Sequence, residues 1–208
     1  MKIDCLSDLH GFFLITLGGD LLIIGGDLTG TDQQWEYERF YAWLCKQDYA
    51  KKVFIAGNHD GSLYQGDFHT SPYCDATYLQ DSGTEFNGFK IWGSPWTLTF
   101  KGMNPKCKAF TVDKERELFR KWELIPDDTD ILITHMPPYG FFDRTYEGIY
   151  AGSETLLDKI MDLHLKLHVF GHIHEGGGKS CGVDAYYVNA SHVNEWYNPV
   201  HNPIRIDL

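Results

Sequence analysis

Apolar residues along the chain fall into short runs parted by polar turns. Runs rich in β-branched residues occupy Lys2 to Leu6, Leu21 to Ile24, Val53 to Ile55, Phe89 to Trp92, Ile131 to Thr134, Leu167 to Phe170 and Tyr186 to Val188, the length and make-up of buried strands. Helical spacing replaces this pattern at Tyr37, Phe40, Tyr41 and Leu44, at Leu156, Leu157, Ile160, Met161 and His164, and over Glu115 to Trp122, where Leu118, Phe119 and Trp122 share a face. Strands alternating with helices predict an α/β layered fold. The stretch from Thr77 to Phe100 is also compatible with hairpins, and Gly61 to Cys74 reads as a turn-rich loop wrapping the site. Gly176, Gly177 and Gly178 read as a flexible turn, because no Lys-Ser/Thr and helical pattern follows to cradle a phosphate.

At 208 residues the chain can bury a full core, and one domain over 1–208 is the expectation. Acidic residues outnumber Lys plus Arg by 29 to 18, for a net charge of −11, and no dense basic block appears. A non-specific nucleic-acid binder needs the opposite balance, so nucleic acid is a poor candidate partner. The N-terminal stretch lacks the apolar core of a signal peptide, and no apolar run approaches the roughly 20 residues of a membrane span. These features predict a cytoplasmic protein that does not engage a membrane. Five cysteines (Cys5, Cys45, Cys74, Cys107, Cys181) are an odd number without C-x-x-C spacing, which speaks against a disulfide framework and against a thiolate zinc site.

The chemistry gathers where strands end. Lys2 to Leu6 runs into Ser7-Asp8-Leu9-His10, Leu21 to Ile24 into Gly25-Gly26-Asp27, and Val53 to Ile55 into Gly57-Asn58-His59-Asp60. Ile131 to Thr134 runs into His135, and Leu167 to Phe170 into Gly171-His172-Ile173-His174. Each piece alone is more often a turn former or a structural histidine. Together, five strand ends should converge outside the carboxyl edge of an α/β sheet. Asp8, Asp27, Asn58, His10, His135, His172 and His174 form a mixed oxygen and nitrogen ligand list with no thiolate, which suits Mn, Fe, Zn or similar ions. Seven ligands exceed one tetrahedral ion and match two ions sharing a carboxylate, the arrangement that serves in-line displacement at phosphorus.

The ordered set "SDLH", "GGD", "GNHD", "THMPPYG" and "GHIH" resembles the calcineurin-like metallophosphoesterases. Flanking stretches such as "IWGSPWTLTF" and "HVFGHIHEGGG" resemble its small metallophosphoesterase-domain-containing branch, which includes cyclic-nucleotide phosphodiesterases. The resemblance implies two packed mixed β-sheets flanked by helices. It implies that Asp8, His10 and His174 bind one metal, that Asp27 bridges, and that Asn58, His135 and His172 complete the second site. Two divalent ions are implied, Mn or Fe first, with Zn and Ni also compatible. His59 would face the substrate and stabilise the transition state or protonate the leaving oxygen, with Asp60 orienting it. The implied reaction is hydrolysis of a small phosphodiester, with a cyclic nucleotide favoured, by attack of a metal-bridging hydroxide. The alternatives are a phosphomonoesterase or phosphoprotein phosphatase on the same site, and, in another class, a metal-stabilised protein that sequesters a nucleotide.

Outside the motifs, His192, Phe12 and Phe13 are the candidates for substrate contact. Arg144 and Lys179 read as solvated loop charge before phosphate contacts. His168 reads as a packed strand residue, while His69, His164 and His201 read as surface or loop residues. The short span from Gly11 to Leu21 leaves little room for a crossover helix between the first two strands.

Overall fold

In β1 (Lys2–Leu6) and β2 (Gly19–Ile24) alternate side chains serve two different cores. Ile3, Cys5, Leu21 and Ile23 point to one face and Leu6, Leu22 and Ile24 to the other, the period-2 consequence of a pleated strand. The architecture comes from a computed structural model that describes residues 1–66, 75–100 and 102–208. Its further elements are α1 (Gln34–Leu44), β3 (Tyr49–Phe54), α2 (Gly61–Gln65), β4 (Thr77–Tyr78), β5 (Ser82–Phe86) and β6 (Phe89–Ser94). There follow β7 (Thr97–Leu98), β8 (Thr111–Val112), α3 (Glu115–Trp122), β9 (Ile131–Thr134), α4 (Glu154–Met161), β10 (Leu167–Phe170), β11 (Gly178–Cys181), β12 (Tyr186–Asn189) and β13 (Ile204–Asp207).

Two mixed sheets result. The first runs β13-β1-β2-β3-β4 and the second β11-β12-β10-β9-β6-β5. In both, the central strands are parallel, with Ile3 opposite Leu21 in one and Ile91 opposite Ile131 in the other. Antiparallel strands lie at edges, including the β5–β6 hairpin. Its Asn87-Gly88 corner has φ of 50° and 81°, the left-handed pair that a two-residue hairpin favours. The sheets share a core of Ile3, Ile23, Ile55, Ile133, Val169 and Val188 with their neighbours. Outside, α1 lays Tyr37, Phe40 and Leu44 on the first sheet, and α3 with α4 lays Leu118, Trp122, Leu156 and Ile160 on the second. The expected sandwich of mixed sheets flanked by helices is thus the observed one.

Residues 11–18 carry β1 into β2 without a helix, as the short spacing predicts. Trp43 Nε1 donates to the Leu14 carbonyl at 2.7 Å, and Phe13 stacks on Trp43 at 5.5 Å. The segment from Gly61 departs from expectation, because Gly61–Gln65 closes one turn of helix ended by Gly66 at φ 73°. The remainder of that expected loop, with His69 and Cys74, lies outside the described residues. His164 falls beyond α4, which stops at Met161. Cys5, Cys107 and Cys181 are free thiols. Among the described residues no helix is long and apolar enough to cross a membrane.

Candidate metal centre and its catalytic surroundings

The turns after the parallel strands bring the motif residues to one end of the sandwich, and they do so through unusual backbone. Asp8, His10, Asp27 and His172 all have positive φ, of 52°, 44°, 50° and 67°. Left-handed conformation in residues with a Cβ costs about 1–3 kcal/mol each and persists only where the surroundings impose it. Here the turns lock each other. The Asp8 N–H donates to the Gly26 carbonyl and the His10 N–H to the Asp27 carbonyl, both at 3.0 Å. The His172 N–H lies 3.1 Å from both carboxylate oxygens of Asp8 and joins the second sheet to the first. Close approach explains two glycines. A Cβ on Gly57 would stand 2.2 Å from Asp27 Oδ1, and one on Gly171 would stand 2.1 Å from Asp8 Oδ2.

Asp8, His10, Asp27 and His174 converge so that their ligand atoms lie within 4.8 Å of one another, and all four are buried. The Nε2 atoms of His10 and His174 face each other at 3.3 Å. His174 Nε2 lies 3.5 Å from Asp8 Oδ1, and His10 Nε2 lies 3.7 Å from Asp27 Oδ2. A second group adjoins across Asp27. His135 Nε2 is 3.4 Å from Asp27 Oδ2 and 3.1 Å from Asn58 Oδ1, and the His172 ring is 5.0 Å from that of His135. Asp27 therefore stands between the two groups, where a shared carboxylate belongs. Outer partners fix the ligand atoms. His135 Nδ1 donates to the Gly25 carbonyl at 2.9 Å, leaving Nε2 for the site. Asn58 Nδ2 donates to the Cys107 carbonyl at 3.3 Å, which turns Oδ1 inward.

Electrostatics shows what these groups lack. The charged partners of the two buried carboxylates are histidines alone among the described residues, with no Lys or Arg paired to Asp8 or Asp27, while the Ser191 hydroxyl donates to Asp8 Oδ2 at 2.6 Å. Burial works to lower the His135 pKa, and the Asp27 and Asp8 carboxylates outweigh it and raise it to about 9. Burial likewise opposes a charged His174, yet its hydrogen bond to Asp8 holds its pKa above the ordinary value. The histidines in turn hold Asp8 and Asp27 below the usual carboxylate range, although burial alone would raise both. Burial dominates at His10 and His172 and lowers both to about 3, so both present neutral lone pairs. Among the described residues protonated imidazoles are thus the only counterions, and the donor set fits divalent cations in their place.

His59 sits beside this centre. Its backbone N–H donates to Asp27 Oδ1 at 2.8 Å, and its Nε2 is 4.0 Å from Asp27 Oδ2. Nδ1 lies 3.0 Å from the Gly30 carbonyl and 3.5 Å from the Cys107 sulfur. The expected orienting contact from Asp60 is not what the structure places there. The buried Asp60 carboxylate accepts from the backbone N–H of Gly57 at 2.8 Å and of Leu28 and Thr29 at 3.1 Å, and from the Thr29 hydroxyl at 3.0 Å. Sequence neighbours on a tight turn point in different directions, and this one points back into the scaffold. Burial and the nearby Asp27 charge push its pKa up to about 7 against those donated hydrogen bonds.

A cleft of about 960 Å³ opens from the centre, lined by Asp27, Asn58, His59, His172 and His174 and walled by Phe100, Met103, Tyr146, Ile149, Tyr150 and Tyr197. Phe12 and Phe13 do not line it: Phe12 is 43% exposed elsewhere, and Phe13 belongs to the Trp43 stack. His192 is absent from the lining too, with Nδ1 2.6 Å from the His201 carbonyl. Arg144 and Lys179 stand away from it, and Lys179 Nζ donates to the Arg205 carbonyl at 2.8 Å. His168 is buried in β10 with Nε2 2.9 Å from the Thr134 hydroxyl. Sequence reasoning missed Tyr197, whose ring lies 4.8 Å from His10 and 5.1 Å from His174. The turn chemistry of Asn194 and of Asn198-Pro199 is the signal that could have drawn attention there.

Two mixed sheets with clustered carboxylates, imidazoles and an amide at their strand ends define a metal-dependent hydrolase scaffold. Residues 1–176 match the calcineurin-like phosphoesterase family. The chain belongs to that family, whose members are metal-dependent phosphoester hydrolases using divalent metals at a dinuclear site. It is 37% identical to human metallophosphoesterase domain-containing protein 1 over 232 residues, covering 98% of this chain and 70% of that protein. It is 31% identical to a UPF0046 protein of Caenorhabditis elegans, covering 100% of this chain and 60% of that protein. TT1561 of Thermus thermophilus shares the fold with a TM-score of 0.60 at 17% identity, over 90% of this chain and 88% of that one.

Proposed function

We propose that the chain hydrolyses a small phosphodiester, with a cyclic nucleotide as the favoured substrate. The carrying observation is the charge of the cleft. Among its described lining residues there is no Lys or Arg, whereas Asp27, Glu147, Glu175 and Glu195 all face it. A phosphomonoester carries a charge near −2 at neutral pH and gains more than a diester from basic side chains added beside the metal positions. A diester carries one charge and is repelled less. The aromatic and apolar wall of Phe100, Met103, Tyr146 and Tyr150 offers a surface for a nucleobase or aryl group.

Asp8, His10, Asp27 and His174 would hold one divalent ion, and Asp27, Asn58, His135 and His172 the other. Their mixed O and N donors favour Mn or Fe. Bound there, such ions supply Lewis-acid stabilisation of charge on a phosphoryl group. The chain's own residues do the remainder. The Gly30 carbonyl takes the Nδ1 hydrogen of His59, so a proton on Nε2 is the one offered to a leaving oxygen. A pure sequestering protein has no use for that fixed acid. Met136 and Phe100 add apolar wall to the cleft beside the reacting group.

The test is hydrolysis of bis(p-nitrophenyl) phosphate, p-nitrophenyl phosphate and a panel of cyclic nucleotides by chelated protein, with Mn, Fe, Zn, Ni or Mg returned singly. A higher kcat/KM for the diester supports the proposal. Preference for the monoester overturns it, and an intact nucleotide recovered after long incubation with metal favours sequestration.

A further inference from the structure

Tyr197 occupies a backbone conformation that a bulky L-residue avoids, with φ at 60°. The turn around it is tied down by Asn194. The Asn194 side-chain oxygen accepts the N–H of Trp196 at 3.1 Å and of Asn198 at 2.9 Å. Its backbone carbonyl takes the N–H of Tyr197 at 2.8 Å, and its N–H reaches the Asn198 carbonyl at 2.9 Å. The turn is thereby fixed so that one ring is delivered inward. That ring stands edge-on to His10 and His174, with interplanar angles of 74° and 87°, and 6.0 Å from His59. It borders two candidate ligands and the proposed acid at once.

The hydroxyl of Tyr197 makes no hydrogen bond among the described residues. Tyr197 lines the cleft and is 46% exposed, so its hydroxyl is open to water or to a ligand bound there. The cleft it borders has no described Lys or Arg to bind an anion. We propose that Tyr197 is a substrate-contacting residue, its O–H donating to a non-bridging phosphoryl oxygen in the position where other phosphate sites add a basic side chain. This rests on the phosphoester reading of the site. A neutral donor there also matches a singly charged diester, since it adds no positive charge to hold a second negative one.

Tyr197→Phe keeps the ring and the turn and removes only the donor. Metal-loaded wild type and variant would be titrated calorimetrically with inorganic phosphate and assayed with bis(p-nitrophenyl) phosphate, with metal content measured in both. Phosphate affinity should fall about 10- to 100-fold at unchanged metal content, the range for a hydrogen bond to a charged group, with a matching fall in kcat/KM. Unchanged phosphate affinity in the variant overturns the proposal, as does a wild type that binds no phosphate. Weakened phosphate binding in a protein that cleaves no diester keeps Tyr197 in its role and discards the diester reading. Asn194→Ala should reproduce the loss by freeing the turn, and Asn194→Asp, which keeps the acceptor oxygen, should restore most of it.

Discussion

The imidazole of His59 is held by a carbonyl: Nδ1 lies 3.0 Å from the backbone oxygen of Gly30. A carbonyl only accepts, so Nδ1 carries a hydrogen and Nε2 faces the centre, 4.0 Å from Asp27 Oδ2, as the position that can exchange a proton with the substrate. Gly30 is itself fixed from the other side. Its N–H donates to Glu36 at 2.9 Å, and the same carboxylate takes the Thr31 hydroxyl at 2.8 Å and the Gln33 N–H at 3.0 Å. The first turn of α1 thus holds the carbonyl that orients His59 in the turn after β3.

Replacing His59 with Ala should leave metal content intact and lower kcat by about 10²–10⁴, the usual contribution of a positioned general acid. Metal analysis alongside turnover decides the matter. Loss of metal in the variant would make His59 a ligand.

Glu36→Gln keeps the size of the side chain but replaces one acceptor oxygen with a donor that faces backbone N–H groups. Stability should fall by about 1–3 kcal/mol for the unmade hydrogen bonds, and kcat should drop while metal content and KM hold. Denaturant unfolding and steady-state kinetics read the two effects separately. A kcat equal to wild type would show that Gly30 keeps its place without Glu36.

Asp60→Asn separates a scaffold role from an orienting one. An amide cannot accept all four hydrogen bonds, so the turn that carries Asn58 should loosen and stability should fall by about 1–3 kcal/mol. Metal occupancy should weaken with it. A variant of native stability and metal content that loses only kcat would return Asp60 to service as the partner of His59.

The metal-free centre holds protons that a cation must displace. His135, raised to about 9 by Asp27 and Asp8 against the effect of burial, is protonated at neutral pH in the metal-free chain. A ligating imidazole must be neutral, so the ion that takes His135 as a ligand between pH 7 and 9 should release a proton on binding, and its affinity should rise with pH across that window. His10 and His172, already neutral, contribute none. Calorimetric titration in two buffers of different ionisation enthalpy measures the release. An affinity flat from pH 6 to 9 would contradict it.

What could be read beforehand follows from how local the signal is. β1, β9 and β10 have the limits expected from sequence, because buried apolar residues fall on both faces of each and turn residues follow directly. The amphipathic α3 likewise spans Glu115–Trp122. The motif residues gather because parallel strands bring their carboxyl ends to one edge. Backbone partners are another matter. Nothing in the letters links Gly30 to His59 or sends the Asp60 carboxylate back to Leu28, since both depend on how two turns nest. Tyr197 was hidden for the same reason: an aromatic residue in left-handed conformation has no sequence signature, and only its Asn194 clamp could have marked it.

At one end of the sandwich the centre ties the two sheets together. His10 leaves the first sheet and His174 the second, 164 residues apart, yet their Nε2 atoms are 3.3 Å from each other. An ion held by both closes a very long loop, and closing such a loop removes freedom from the unfolded chain in the manner of a disulfide. Bound metal is then a clasp on the sandwich as well as a reagent. The shelf life of the loaded protein becomes a property of its ion, and prolonged dialysis against a chelator would age the fold as it silences the site.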